Sequence, residues 1–157
     1  MFKYRRMRTW LFTWNPSRWQ WNDKFDGYLE MKNQIKQTDV SYSTWSCGNN
    51  KSIKKGDRIF LIRLGVEPRG IMASGHAATD VFEGPHWDAE RDALGIKCRR
   101  IFIEFDRIQD PIAEEIILMD KLMEINPKYK WSSQTSGIEI PTHIADEVEK
   151  AWKDISR

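Results

Sequence analysis

The stretch "DRIFLIRLGVEPRGIMASGHAATDV" (residues 57–81) holds two apolar segments separated by a glycine- and proline-containing turn. Residues 57–65 have the composition of a β-strand, and residues 65–68 have the composition of a turn. Residues 69–81 then supply the partner strand of a hairpin. Ala73, Ser74 and Gly75 are small, as expected where another part of the structure approaches the backbone closely. An antiparallel hairpin is therefore predicted at the centre of the fold.

The sequence that follows this hairpin predicts one more strand and two helices. In "RRIFIEFDRI" (residues 99–108), Ile101, Ile103 and Phe105 alternate with polar residues, which predicts a half-buried antiparallel strand. Residues 85–95 are predicted to be a loop. Helices are predicted over residues 112–125 and 142–155, and the apolar stripe of the second should pack on the core.

The sequence that precedes the hairpin predicts two strands around one helix. Residues 8–14 are rich in β-forming residues and end at Asn15-Pro16. Residues 25–37 show helical spacing of apolar residues, and residues 40–46 alternate with a period of two. The combination predicts an α+β fold with a curled, mostly antiparallel sheet flanked by helices.

Length and composition place the chain among ordinary globular proteins. Its 157 residues are 40% hydrophobic and 31% charged, which predicts one domain spanning residues 1–157. The basic N-terminus lacks the apolar segment of a signal peptide, and no apolar run approaches the roughly 18 residues of a membrane helix. The two cysteines do not form a disulfide framework pattern. A cytoplasmic location is predicted.

The charge of the chain is segregated although its net value is only +2. A nearly neutral protein of this kind can still present one basic face to a nucleic acid, although solvated surface lysines explain the charge count equally well. The basic residues form three groups: Lys3, Arg5, Arg6 and Arg8; Lys51, Lys54, Lys55 and Arg58; and Lys97, Arg99 and Arg100.

Several of the eight tryptophans lie beside small polar residues rather than aliphatic ones. They occur in "TWNPSRWQW" (residues 13–21), "TWSCGNN" (residues 44–50) and "KYKWSSQTSG" (residues 128–137). Trp10 and Trp152 are predicted to be core residues. The small neighbours of Trp45 are predicted to leave its ring uncovered, so that a nucleobase can stack on it for roughly 1–3 kcal/mol. Nearby lysines would hold the flanking phosphates.

Other chemistries have weaker signals in this sequence. The three histidines are scattered, and there is no paired-cysteine or paired-histidine spacing for a metal. Cys47 is a conceivable thiol nucleophile, but a small buried cysteine is the simpler interpretation. Glu104 and Asp106 share one side of a strand and are expected to face solvent. No phosphate-binding loop, dinucleotide fingerprint or His-Asn-His nuclease motif is present.

Three motifs together resemble the EVE domain, a PUA-like fold related to YTH domains. They are "WSCGNNKSIKKGDRIFLIRLGVEPRGIMASG" (residues 45–75), "TWNPSRWQW" and "WSSQTSG" (residues 131–137). The resemblance is greatest to the EVE module at the N-terminus of HNH-type modification-dependent restriction endonucleases. It implies a curled sheet or pseudo-barrel flanked by helices, and an aromatic pocket for a modified base.

The resemblance also implies which residues form that pocket. The base-binding residues would be Trp14, Asn15, Trp45, Ser46, Cys47, Gly48, Trp131, Gln134 and Ser136. Trp19, Met72, Ser74 and Trp87 are further candidates for the pocket wall or rim. The basic group that follows Trp45 in the sequence, and not the resemblance, supplies the predicted phosphate-binding residues, which are Lys51, Lys54, Lys55 and Arg58.

The implied function is binding, without catalysis or cofactor, of DNA that carries 5-methylcytosine or 5-hydroxymethylcytosine flipped from the duplex. The chain would be the specificity module of a restriction system, with a nuclease in cis or in trans, since the chain itself has no HNH segment. A methyl group contributes only about 0.8 kcal/mol, about fourfold, so stronger selectivity needs shape exclusion or a hydroxymethyl partner such as Ser46 or Gln134. Three alternatives stay open: a reader of N6-methyladenine-type RNA, a module for a small heterocycle, and a Cys47-dependent hydrolase or transferase.

Overall fold

The computed structural model describes residues 6–21 and 27–156. In these residues the strands are β1 (Thr9–Trp14), β2 (Ser41–Ser46), β3 (Arg58–Arg63), β4 (Gly70–Ala77), β5 (Phe82–Pro85), β6 (Lys97–Ile108), β7 (Ile117–Leu118) and β8 (Ile138–Ile140). The helices are α1 (Tyr28–Thr38), α2 (Ala89–Ala93), α3 (Met119–Ile125) and α4 (Thr142–Asp154). None of the helices described is long and apolar enough to cross a membrane.

The strands form one sheet in the order β2-β6-β4-β3-β1-β8, with β5 paired to β6 and β7 paired to β4. The predicted hairpin is confirmed, since β3 and β4 pair antiparallel from Arg58 opposite His76 to Arg63 opposite Gly70. All described strand pairs are antiparallel except β1 and β3. The predicted α+β class with a mostly antiparallel sheet is therefore confirmed.

The sheet separates two hydrophobic cores, because successive residues of a strand point to opposite faces. In β3, Ile59 and Leu61 belong to the core beside α1, whereas Phe60 and Ile62 belong to the core beside α4. The predicted packing of the apolar stripe of α4 on the core is confirmed by its buried residues, which include Val148. The two cores cover both faces of the sheet, and the site described below includes residues of its β2 edge.

Two segments differ from their predictions. The predicted loop over residues 85–95 begins at the last residue of β5 and contains α2, whose first turn is capped by Asp88 accepting a hydrogen bond from the Glu90 backbone N–H. The predicted helix over residues 112–125 is wrong in its first half, because α3 begins only at Met119. Ile116 and Ile117 lie in opposite cores, which requires extended backbone, and Ile117 pairs with β4.

Three further details complete the comparison. The predicted helix over residues 25–37 is observed as α1 from residue 28, and residues 25 and 26 lie outside the described part of the chain. Strands β5 and β8 were not predicted, because their four and three residues are too few to show a period. Of the basic N-terminal group, Lys3 and Arg5 also lie outside the described residues.

Candidate functional site

A cavity of about 470 Å³ opens at the edge of the sheet formed by β2. It is bounded by the segment that follows β1, by β2 with the start of its following loop, and by the loop before β8. Its lining residues are Thr13, Asn15, Arg18, Trp19, Gln20, Trp21, Ser43, Thr44, Trp45, Ser46, Gly48, Trp87, Arg100, Gln134, Thr135 and Ser136. The three tryptophan-containing motifs of the sequence therefore meet at this cavity.

Hydrogen bonds from β1 hold the loop before β8 in place. The backbone N–H of Thr13 donates to Ser136 Oγ at 3.0 Å, and Thr13 Oγ1 donates to the carbonyl oxygen of Ser133 at 3.0 Å. The N–H of Gly137 donates to the carbonyl oxygen of Leu11, also at 3.0 Å. A loop with this many bonds to a central strand presents its side chains to the cavity in a defined position.

A second set of contacts joins this loop to the loop after β2. Asn50 Nδ2 donates to the carbonyl oxygen of Gly137 at 2.7 Å, while Asn50 Oδ1 accepts the N–H groups of Ser52 and Ile53. Gly48 has φ +60°, and a Cβ there would lie 3.2 Å from the carbonyl oxygen of Ser136. Glycine at this position therefore provides both the left-handed backbone and the close approach of the two loops.

Asn15 links the first motif to the last one. Its Oδ1 accepts the backbone N–H of Ser17 at 3.0 Å, and its Nδ2 donates to Gln134 Oε1 at 3.3 Å. The Asn15 side chain packs directly on Gly65, where an added Cβ would lie 2.2 Å from Asn15 Oδ1. The turn between β3 and β4 thus supports a polar group of the cavity wall.

The aromatic part of the cavity is a cluster of edge-to-face and tilted rings. The ring of Trp45 lies 5.2 Å from that of Trp19 and 5.0 Å from that of Trp21, between centroids. Trp45 is consequently only 5% exposed, so the prediction that its ring is uncovered is wrong. The exposed indoles of the cavity are Trp19 at 41% and Trp87 at 65%. The Nε1 atom of Trp45 is buried without a hydrogen-bond partner.

The structure brings most of the predicted base-binding residues together at the cavity. Those that line it are Asn15, Trp45, Ser46, Gly48, Gln134 and Ser136, together with the rim candidates Trp19 and Trp87. The other five candidates are buried and do not line it: Trp14, Cys47, Trp131, Met72 and Ser74.

Each of these five residues has a structural environment of its own. Trp131 lies in the opposite core and donates from Nε1 to the carbonyl oxygen of Asn126. Ser74 donates to Asp106 and accepts from the indole of Trp152. The remaining three, Trp14, Cys47 and Met72, belong to the core beside α1. A tryptophan followed by small polar residues can therefore be a core residue, as Trp14 and Trp131 are.

The Cys47 thiol is poorly suited to nucleophilic chemistry in this position. Its side chain is fully buried, and its Sγ lies 3.7 Å from the carbonyl oxygen of Asn50. Burial raises the pKa of the thiol to about 11, because the charged thiolate is poorly solvated there. At neutral pH Cys47 is thus a protonated thiol behind the cavity wall.

The four predicted phosphate-binding cations differ in their availability. The Arg58 guanidinium is 12% exposed and contacts Asp106 at 2.8 Å and Glu149 at 2.7 Å, so two carboxylates already neutralise it. The ammonium group of Lys54 lies 3.9 Å from Asp80. The other two, Lys51 and Lys55, are exposed. None of the four lines the cavity.

Two arginines that the motif comparison did not select line the cavity instead. Arg18 is exposed in the loop after β1, and Arg100 reaches from β6 to the carbonyl oxygen of Thr44 at 3.3 Å. Trp21 also lines the cavity without having been predicted to do so. Both Arg18 and Trp21 lie within the "TWNPSRWQW" motif, so the motif itself could have indicated them. Arg100 is in the third basic group, but only the pairing of β2 with β6 places it here. No cluster of three or more metal-ligating side chains occurs in the described residues.

Comparisons with known proteins identify the fold of this chain but do not identify a family. No family model matches the sequence. No curated protein matches it either. Solved structures do match: a hypothetical protein from Leishmania major has a TM-score of 0.64 at 10% identity, with 95% of this chain and 96% of that chain covered.

Two further structures have the same fold. Human THYN1 protein, in complex with 5-methylcytosine-containing DNA, matches with a TM-score of 0.62 at 16% identity, covering 92% of this chain and 96% of that one. A mutant of the ASCH protein from Zymomonas mobilis matches with a TM-score of 0.55 at 9% identity, covering 95% and 97%. The PUA-like fold predicted from the sequence is confirmed by these similarities.

Proposed function

We propose that this protein binds DNA containing 5-methylcytosine or 5-hydroxymethylcytosine and takes the modified base, flipped from the duplex, into the cavity beside β2. One observation carries the proposal: indole rings and polar side chains converge on a cavity where three separate motifs of the sequence meet. The structural similarity to human THYN1, which was solved with 5-methylcytosine-containing DNA, supports the same chemistry.

The cavity has the groups that a flipped base needs. Extrusion of a base costs a few kcal/mol, and stacking on an aromatic ring returns roughly 1–3 kcal/mol. Trp19 presents an exposed indole inside the cavity, and Trp87 presents one at its rim. Gln134 and Ser46 supply hydrogen-bonding groups for the edge of the base. Stacking and edge bonds together can offset the cost of extrusion.

The phosphates on either side of the flipped base need cations near the mouth of the cavity. Arg18 and Arg100 line the cavity, and Lys51 lies in the loop that continues from β2. Contacts of this kind position the strand without reading its sequence. We extend the proposal to a cytoplasmic module that directs a nuclease, in cis or in trans, to modified DNA.

The Cys47-dependent enzyme is the weaker alternative. A nucleophilic cysteine is usually accessible and has a lowered pKa. Cys47 has a raised pKa, full burial and no place in the cavity lining. We therefore propose a binding protein rather than an enzyme.

Binding measurements on a matched set of duplexes test the proposal. The duplexes carry cytosine, 5-methylcytosine or 5-hydroxymethylcytosine at one position, with N6-methyladenine RNA and the free nucleosides as competitors. We expect the modified duplexes to bind most tightly. Equal Kd values for all three duplexes would overturn the proposal, and preferential binding of the RNA would replace it with the RNA reader.

Trp19→Ala is the informative variant in the same assay. Loss of one stacking surface should weaken binding of the modified duplex by about 1–3 kcal/mol. Ile112→Ala is the matched control, because Ile112 is 70% exposed and does not line the cavity. Equal affinities of the two variants would argue against stacking on Trp19.

A further inference from the structure

One amide of the cavity has an orientation set by the backbone. The backbone N–H of Ser17 can only donate, and it lies 3.0 Å from one terminal atom of the Asn15 side chain. That atom must therefore be the oxygen Oδ1, which the Ser17 hydroxyl also approaches. The other terminal atom of Asn15 is then the nitrogen Nδ2, a group that can only donate.

The orientation of the Asn15 amide determines the orientation of the Gln134 amide. Asn15 Nδ2 lies 3.3 Å from a terminal atom of the Gln134 side chain, which must accept and so must be Oε1. Gln134 Nε2 is the atom that remains. It makes no hydrogen bond to any other residue that the structure describes, and Gln134 lines the cavity with its side chain exposed.

We infer that Asn15 and Gln134 act as a relay that fixes the hydrogen-bond polarity of the cavity, so that Gln134 Nε2 donates to ring atom N3 of an extruded cytosine. Bases taken out of a duplex are read through their Watson–Crick edge. Ring atom N3 of cytosine is an acceptor on that edge. The inference rests on the function proposed above and names the residues and the base atom that give it specificity for cytosine.

The consequence is discrimination between 5-methylcytosine and thymine. Both bases carry the same methyl group at position 5, so stacking and methyl burial cannot separate them. They differ along the edge: N3 is an acceptor in 5-methylcytosine and carries a hydrogen in thymine. An N–H group held toward N3 donates a hydrogen bond to 5-methylcytosine but faces another N–H group in thymine. Two donors that face each other leave both unpaired, which discriminates strongly against thymine.

Gly65 leaves the space that the Asn15 side chain of the relay occupies. An added Cβ at this position would lie within 2.2–2.7 Å of three atoms of the Asn15 amide, so only glycine leaves room for Asn15 in its observed place. The backbone turn between β3 and β4, Asn15 and Gln134 thus form one connected unit.

Two nearly isosteric variants reverse the relay. In Asn15→Asp the new carboxylate still accepts from Ser17 but can no longer donate, so Gln134 turns its Nε2 toward residue 15 and presents Oε1 to the base. In Gln134→Glu the group that faces the base becomes an acceptor directly. Both variants should bind thymine better relative to 5-methylcytosine than the unaltered protein does.

The experiment measures Kd for single-stranded oligonucleotides that carry 5-methylcytosine or thymine at one position, which removes differences in base-pair strength. We expect the unaltered protein to prefer 5-methylcytosine roughly tenfold. Both variants should bring this ratio to about one or below. Asn49→Asp is the control, because it adds the same charge at an exposed residue that does not line the cavity, and it should keep the ratio.

The outcomes separate the relay from the proposed function. A ratio that stays the same in both variants, or a ratio of one in the unaltered protein, overturns the relay. Absence of any preference for modified over unmodified cytosine in the unaltered protein overturns the proposed function instead. Thermal unfolding of each variant, followed by circular dichroism, confirms that the ratios come from folded protein.

Discussion

Individual tryptophans of this chain have two different roles that their neighbours in sequence do not distinguish. Trp45 is followed by small residues, yet it is 5% exposed because Trp19 and Trp21 cover it from another segment. Trp87 is 65% exposed and has its ring 5.4 Å from that of His86. Trp45 lines the cavity as a core residue, whereas the exposed rings of the cavity are those of Trp19 and Trp87.

This difference changes the expected effect of Trp45→Ala. Removing a buried indole should lower the free energy of unfolding by about 3–5 kcal/mol, so lost DNA binding would not by itself identify a contact. Trp87→Ala, at a highly exposed position, should change stability by less than about 0.5 kcal/mol. Urea denaturation of both variants measures this, and equal stabilities of the two would contradict the packing described.

Cys47 gives a pH-dependent prediction. Its pKa is raised by burial from 9.0 to about 11, so between these values the unfolded chain loses the thiol proton while the folded chain keeps it. The unfolded state then binds fewer protons, and stability should fall as pH rises from 9 to 11, by up to about 2 kcal/mol.

Cys47→Ala isolates this contribution from those of other groups. The stability difference between the unaltered protein and the variant should be constant below pH 8 and should decrease between pH 9 and 11. A difference that is independent of pH would show that the thiol titrates normally in the folded protein.

At the scale of elements, the cavity depends on a turn and on two loops rather than on one strand. The turn after β3 carries Gly65, whose contact with Asn15 places the first motif against Gln134. The loop after β2 and the loop before β8 are joined through Asn50 and Gly137. The geometry of the site is therefore sensitive to changes in backbone segments that do not line the cavity.

Gly65→Ala tests this dependence with a close control. Gly65 has φ +79° and Gly95 has φ +78°, so alanine should cost a similar backbone strain, roughly 1 kcal/mol, at both positions. Only at Gly65 would the new Cβ collide with Asn15, whereas nothing lies within 4 Å at Gly95.

We expect Gly65→Ala to lose the preference for 5-methylcytosine over thymine and Gly95→Ala to keep it. Kd values for single-stranded oligonucleotides that carry 5-methylcytosine or thymine at one position measure this preference, and unfolding curves check that both variants are folded. Full preference in Gly65→Ala would show that the position of Asn15 does not matter for binding.

Elements with long, regular patterns could be predicted from the sequence, and elements made by distant contacts could not. The alternation in residues 99–108 and the helical stripe of residues 142–155 reflect burial of one face, and both are found as β6 and α4. Residues 112–118 have helical composition, but Ile116 and Ile117 are drawn to opposite cores. Pairing with β4 overrides local preference there.

At the scale of the whole molecule, the sheet explains why the three motifs predict where the site lies, although several of the predicted residues do not line the cavity. Although β1 and β2 lie toward opposite ends of one sheet, the segments that follow them converge beside the loop before β8, and there the motifs meet. Arg100 reaches the cavity only through the pairing of β6 with β2, a relation that no local pattern of the sequence contains.

The same arrangement separates two groups of charge. Arg58, selected from a basic sequence cluster, is neutralised by Asp106 from β6 and Glu149 from α4, residues distant in sequence. Arg18 and Arg100 line the cavity. Charge clusters in the sequence therefore indicated a basic region, but the fold decides which cations face a ligand.

The most direct test of the account is nuclear magnetic resonance of a DNA duplex that carries a carbon-13 methyl group on a single 5-methylcytosine. With saturating protein, we expect the methyl proton resonance to move upfield and to show nuclear Overhauser contacts with the indole protons of Trp19 and Trp45. A bound duplex whose labelled methyl keeps its free chemical shift, with contacts only to the adjacent base pairs, would contradict a base extruded into the cavity.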